Sequence, residues 1–129
     1  MNIIAFIPCR RNSKSIPGKN IKELGGKPLL IYSIETAQKC GLRTVVNTES
    51  NEIAEIAKSA GAEVMMRPAS LAGDIISMFE VLKHEIPKIS PPPDLILLLQ
   101  PTSPFRKSIH IKAAISYLTA NYDKYDSVV

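Results

Sequence analysis

The sequence predicts an α/β protein of three layers, a mostly parallel β-sheet with helices on both faces. Three observations predict it. Strand-like and helix-like segments alternate along the chain, which implies right-handed crossovers between parallel strands. The strand-like runs are short, β-branched and apolar, as strands covered on both faces are. The composition, 45% hydrophobic and 22% charged over 129 residues, is that of an ordinary globular protein, and a chain of this length makes one domain.

Asn2 to Pro8 reads as the first buried strand, closed by its proline. Residues 9–27 lack periodicity and contain Pro17, Gly18, Gly25 and Gly26, so they form one long loop. Loops of that length inside compact domains are commonly functional. Leu29, Leu30, Ile34 and Ala37 then recur at helical spacing, between a Pro28 suited to the first turn and a Gly41 suited to the stop. Arg43 to Thr48 is the second strand. Asn51 to Ala60 is a helix with Ile53, Ile56 and Ala57 on one face, ended by Gly61. Ala62 to Met66 is a third short strand, and Asp74 to Ile86 a third helix. Pro91-Pro92-Pro93 is a stiff extended connector to the clearest buried strand, Asp94 to Leu99. A helix from Ile109 to Asn121 follows, then the start of a strand at Asp126 to Val129. A chain that stops inside a strand is expected to be the front portion of something longer.

Charge narrows the function. Lys and Arg number 16 against 12 Asp and Glu, a formal net charge of +4. The excess is local: Arg10, Arg11, Lys14, Lys19, Lys22 and Lys27 face Glu23 alone within residues 1–27. The rest of the chain is close to neutral, which argues against a protein that coats nucleic acid. Single-strand binders interleave basic residues with stacking aromatics, and residues 7–31 contain no Phe, Tyr or Trp. The longest aliphatic run, Leu95 to Leu99, is far short of the ~20 residues of a membrane span. No basic segment leads into a long apolar stretch at the N-terminus, so no signal peptide and no membrane partner are expected. Cys9 and Cys40 have no metal spacing and read as reduced, buried thiols, with a single disulfide left open. His84 and His110 are isolated, which leaves no zinc site.

In parallel sheets ligands bind beyond the carboxyl ends of the strands. Four features fall there: the basic loop after the first strand, Asn47-Thr48-Glu49-Ser50 after the second, Arg67 after the third, and the Gln100 to Arg106 segment after the strand at 94–99. They are expected to face one crevice. The loop from Pro8 to Asn20 offers two guanidiniums, two ammoniums, hydroxyls and a glycine. Arginine suits bidentate contact with phosphate, lysine supplies a point charge, and loop N–H groups can form an anion nest. Neither the G-x-x-x-x-G-K-[ST] nor the G-x-G-x-x-G fingerprint is present. On charge alone the loop could be a solvated turn; its place after the first strand makes it an anion site.

Arg10-Arg-Asn-Ser-Lys-Ser-Ile-Pro-Gly-Lys-Asn20, followed by Gly25-Gly-Lys-Pro-Leu29, resembles the N-terminal signature A-R-x-x-S-K-x-x-x-x-K-N of the acylneuraminate cytidylyltransferases, the CMP-sialic acid synthetases. The likeness continues through Glu52-Ile-Ala-Glu-Ile-Ala57, Gly61-Ala-Glu-Val64, Arg67-Pro-Ala69, Leu71-Ala-Gly-Asp74 and Leu98 to Arg106. The resemblance implies a Rossmann-like nucleotidyltransferase fold, of which residues 1–129 would be the nucleotide-binding part with the C-terminal part missing. It implies transfer of CMP from CTP to a nine-carbon 2-keto sugar acid, with release of pyrophosphate, in the cytoplasm. Carried over position by position, Arg10, Ser13 and Lys19 would hold the CTP phosphates, with Lys14 a further contact. Arg10 and Lys19 would be the catalytic pair. Asn20 would reach the ribose, Arg67 the cytosine, and Gln100 would face the sugar acid. Each has a plainer reading: a turn residue for Arg67 and Asn20, a strand cap for Gln100, and helix starts for Asp74 and Ser77.

The departures from the family pattern are specific. Ile75, Ile76, Ser77 and Met78 stand where small and hydroxylated residues are usual. Asn47-Thr48-Glu49-Ser50 replaces S-T-D-D. The magnesium-binding aspartates and the dimerisation element of the family fall beyond Val129, so no metal ligand is expected in this chain, a homo-oligomer would need the missing element, and the chain alone is expected to have little transferase activity. Legionaminic, pseudaminic and 3-deoxy-manno-octulosonic acids are alternative substrates, and a non-catalytic nucleotide- or sugar-binding paralogue is the competing reading.

Overall fold

In the computed structural model, residues 2–11, 23–72, 77–101 and 108–121 are described. Strands β1 (Ile3–Pro8), β4 (Arg43–Thr48), β5 (Glu63–Met66) and β6 (Leu95–Leu98) form one sheet in the order β5-β4-β1-β6, every pair parallel. Helices α1 (Leu29–Lys39), α2 (Asn51–Ser59), α3 (Met78–Glu85) and α4 (Ser108–Ala120) connect and flank it. The two-residue strands β2 (Glu23–Leu24) and β3 (Lys27–Pro28) make a small antiparallel hairpin that the sequence reading had absorbed into the long loop.

The side chains of the central strand explain the layers. Ala5 and Ile7 of β1 face one side with Val46, where Leu30, Ile34 and Ala37 of α1, Ile53 and Ala57 of α2 and Ile111 of α4 pack on them. Ile4 and Phe6 face the other side with Val45, where Leu82 of α3 and Ile86 and Ile89 beyond it close the core. The period of two along β1 thus meets helices on both faces, as expected for a buried parallel strand.

The buried positions Leu30, Ser33, Ile34 and Ala37 repeat at helical spacing along α1. Gly41 ends α1 at φ +68°, which frees its N–H for Gln38 O at 2.9 Å and that of Leu42 for Ala37 O at 3.2 Å. Gly61 repeats the device after α2 at φ +88°, through Lys58 O and Ala57 O, both at 3.0 Å. Pro28 lies one residue before α1, as its N-cap, not within its first turn.

The third helix starts later than predicted. Ser77 is its N-cap, its hydroxyl accepting the Glu80 N–H at 3.2 Å, and a 3-10 turn (Ile86–Lys88) follows it. Asp74 lies outside the described residues, as does the strand expected at 126–129.

The strand order also sets the crevice. The crossovers from β1 to β4 and from β4 to β5 step one way across the sheet, whereas β6 lies on the opposite side of β1. The direction therefore reverses at β1, and the carboxyl ends of β1 and β6 flank the switch point where such sheets bind ligands. Asn2 anchors the far end: its N–H reaches Asp94 Oδ2 at 2.6 Å and its amide reaches Pro92 O at 3.0 Å.

Candidate nucleotide site at the carboxyl edge of the sheet

The registers place the site residues. Pro8 pairs with Asn47, and Thr48 pairs with Met66. The ladder runs on through Cys9 N–H to Asn47 O and Arg67 N–H to Thr48 O, both 2.9 Å. Arg10, Glu49 and Arg67 therefore stand at the ends of three adjacent strands. On the other side of β1, Phe6 pairs with Leu98, which brings the exposed Gln100 to the same edge. Three of the seven predicted site residues, Arg10, Arg67 and Gln100, are thereby brought to one edge from three strands. Ser13, Lys14, Lys19 and Asn20 lie outside the described residues.

Arg67 is only 6% exposed. A guanidinium loses strongly favourable hydration when buried; burial lowers the Arg67 pKa from its ordinary value, and the charges of Glu49, Cys9 and Glu85 oppose that fall. Its Nε is buried and has no hydrogen-bond partner among the described residues. A buried donor of this kind is costly unless something accepts from it. Arg67 is therefore not the surface-turn residue that its place before Pro68 also allowed. Arg10 is half-buried, and its Nη1 lies 3.5 Å from Ala72 O, which links the end of β1 to the segment after Arg67.

The acidic groups around the edge are already engaged. Glu49 accepts the backbone N–H of Arg11 through Oε1 at 3.0 Å, and Arg11 Nε pairs with Glu52 at 2.7 Å. Among the described residues no three His, Cys, Asp or Glu side chains are grouped where they could hold a cation. The magnesium that the family resemblance implies finds no fitting donor set among them.

Two polar residues lie buried behind the edge: Asn47, which the sequence reading places facing the crevice, and Glu85, which it does not single out. Asn47 is fully buried; its Nδ2 donates to Met65 O at 3.1 Å and to Glu85 Oε1 at 2.8 Å. Glu85 has no exposed surface and also meets His84 Nδ1 and Lys88 Nζ, both at 2.6 Å. The signals were present: an asparagine inside the apolar run of β4, and a glutamate four residues after Val81 on the buried stripe of α3. Both thiols are free, Cys9 buried with its pKa pushed up to about 12 by burial and Cys40 half-buried.

A parallel α/β sheet with buried and half-buried arginines at its switch-point edge has the architecture of the open α/β class, in which ligands bind at that edge. The chain belongs to the cytidylyltransferase family, whose sequence model matches residues 4–129. It is 43% identical to an N-acylneuraminate cytidylyltransferase of Escherichia coli O18:K1:H7, over 98% of this chain and 30% of that protein. It is 41% identical to a CMP-N,N'-diacetyllegionaminic acid synthase of Legionella pneumophila, over 89% of this chain and 52% of that one. Among solved structures, a CMP:2-keto-3-deoxy-manno-octonic acid synthetase complexed with CTP superposes with a TM-score of 0.81 at 20% identity, covering 94% of this chain and 48% of that one. The chain thus spans between about a third and a half of the proteins it matches.

Proposed function

We propose that the chain is the CTP-binding part of a cytidylyltransferase that activates a nine-carbon 2-keto sugar acid of the sialic acid type. The observation that carries the reading is the convergence of Arg10, Arg67 and Gln100 on one edge at the switch point of the sheet. Family membership and the printed activities of the relatives support it. In this reading the anomeric hydroxyl of the sugar attacks the α-phosphorus of CTP in line; the new bond is the CMP–sugar bond, and pyrophosphate leaves.

Catalysis then consists of positioning and charge neutralisation. Arg10 and Lys19 neutralise charge on the phosphates, and Ser13 and Lys14 hold them from the basic loop. Asn20 orients the ribose, and the buried Nε of Arg67, which has no acceptor among the described residues, donates to cytosine. Gln100 faces the sugar acid. The legionaminic and 3-deoxy-manno-octulosonic types remain within the same reaction class, differing only in what Gln100 and its neighbours meet. The magnesium that the resemblance implies would add phosphate neutralisation, with no donor set for it among the described residues. The cytoplasm, where nucleoside triphosphates are held, is the compartment that goes with this reading, and a homo-oligomer the assembly.

Calorimetric titration with CTP, ATP and GTP tests the proposal. Wild-type protein is expected to bind CTP at least about tenfold more tightly than either purine nucleotide, a preference of roughly 1.4 kcal/mol. Arg67→Met is expected to lose CTP binding without losing stability, because an apolar side chain of similar length removes a buried, under-satisfied charge. Equal binding of all three nucleotides, or undiminished CTP binding by Arg67→Met, would contradict it.

A further inference from the structure

Both roots of the basic loop are fastened to the scaffold. On the far side, the hairpin β2–β3 is docked on α1: the Tyr32 hydroxyl donates to Leu24 O, and Lys27 pairs with Glu35 at 3.0 Å. On the near side, the loop leaves β1 through Arg11, whose backbone N–H points at Glu49, with Oε1 at 3.0 Å and Oε2 at 3.4 Å. Glu49 is itself held, since the Thr48 hydroxyl donates to its Oε1 at 3.3 Å and accepts the Ser50 N–H at 3.1 Å. Ser50 then caps α2 by accepting the Ile53 N–H. The turn between β4 and α2 is thus a rigid mount that carries one carboxylate toward the crevice.

We propose that Glu49 is the positioning residue of the nucleotide site, fixing the first peptide of the basic loop at Arg11 while standing beside the buried Arg67. It would hold the phosphate side and the base side of the pocket in one arrangement, deepening the CTP reading on which it rests. Glu49 touches no substrate in this role; it acts through Arg11 and Arg67. The strand registers support the arrangement, because β4 lies between β1 and β5 and its end adjoins both of theirs. Electrostatics agree: among the charges that help Arg67 stay protonated against burial, that of Glu49 is the largest. A carboxylate suits the position better than an amide for two reasons. It accepts from a peptide N–H more strongly than a neutral oxygen does, and it supplies the counter-charge that a buried guanidinium needs.

The test compares Glu49→Gln and Glu49→Asp with wild type in the same chain. Residue-resolved amide exchange at Arg11, thermal unfolding and CTP titration are measured on each. In Glu49→Gln, exchange at Arg11 is expected to accelerate about tenfold, the usual gap between a charged and a neutral acceptor, and CTP affinity to fall by about as much. Its unfolding temperature is also expected to fall by a few degrees, since a charged acceptor and a counter-charge are both lost. CTP affinity measured far below that temperature would not change if the role were only structural. Glu49→Asp, with the charge restored, should recover most of the CTP affinity. Unchanged Arg11 exchange in Glu49→Gln overturns the assignment whether or not CTP binds. Accelerated exchange with unchanged CTP affinity overturns it too, because the held peptide would not then matter to the ligand. If the wild-type chain binds no CTP at all, the CTP reading falls and this role falls with it, whatever the Arg11 amide does.

Discussion

Glu85 carries its charge where no solvent reaches it. Burial pushes its carboxyl up, but hydrogen bonds from Lys88, Asn47 and His84 outweigh that and hold it below its ordinary value of 4.5. A group whose folded value is depressed contributes stability above the unfolded value and loses it as pH falls through the folded one. Glu85→Gln is therefore expected to cost about 2 kcal/mol at neutral pH, through weakened bonds to Lys88 and His84. In urea unfolding the gap between variant and wild type should narrow as pH drops below about 4.5. A gap constant down to pH 3 would remove the charge from the explanation. At this scale the sequence was only partly legible. Arg10, Arg67 and Gln100 could be placed because each follows a strand that its apolar run announces. Glu85 could not, and neither could the buried role of Asn47, because their value comes from meeting each other across 38 positions of sequence. Nothing local says that a polar residue on an apolar stripe has found its partner.

Elements were legible wherever a punctuating residue coincided with a change of period. Gly41 and Gly61 end their helices where the apolar spacing stops, and both adopt positive φ. Alanine at either is expected to cost about 1–2 kcal/mol, the steric penalty of the left-handed region. The two sites should differ. A Cβ at Gly41 meets open space, whereas one at Gly61 would come within 3.2 Å of Gln38 Nε2, which donates to Ala60 O at 2.8 Å. Gly61→Ala is thus expected to be the more destabilising in chemical denaturation, and the reverse order would mean that Gln38 swings aside freely. Where punctuation was ambiguous the reading slipped. Asp74 and Ser77 are both good caps, and the later one starts α3 because its hydroxyl reaches the Glu80 N–H. The hairpin β2–β3 has two residues per strand, too few for any period to register.

For the whole molecule, the strand order decides how the charge is used. The basic excess lies in residues 1–27, and the topology roots that stretch at the centre of the sheet, on β1, with β4 and β6 on either side. Within it, Arg10 and Arg11 leave β1 at the carboxyl edge of the sheet, a placement suited to a compact polyphosphate and not to a long polyanion. Because the ligand would bridge strand ends from the whole sheet, its binding should stabilise the domain as a unit. At a free CTP concentration of 100 times its dissociation constant the gain is about 2.7 kcal/mol. For a domain of this size that raises the unfolding temperature by roughly 10 °C. Added salt should shrink the shift by screening the attraction between the basic groups and the phosphates. A single-stranded oligonucleotide carrying the same total phosphate should produce almost none, since few of its charges can enter one crevice at a time. An oligonucleotide shift as large as that of CTP would mean that the basic stretch acts as an open surface, and the crevice would lose its claim to the charge.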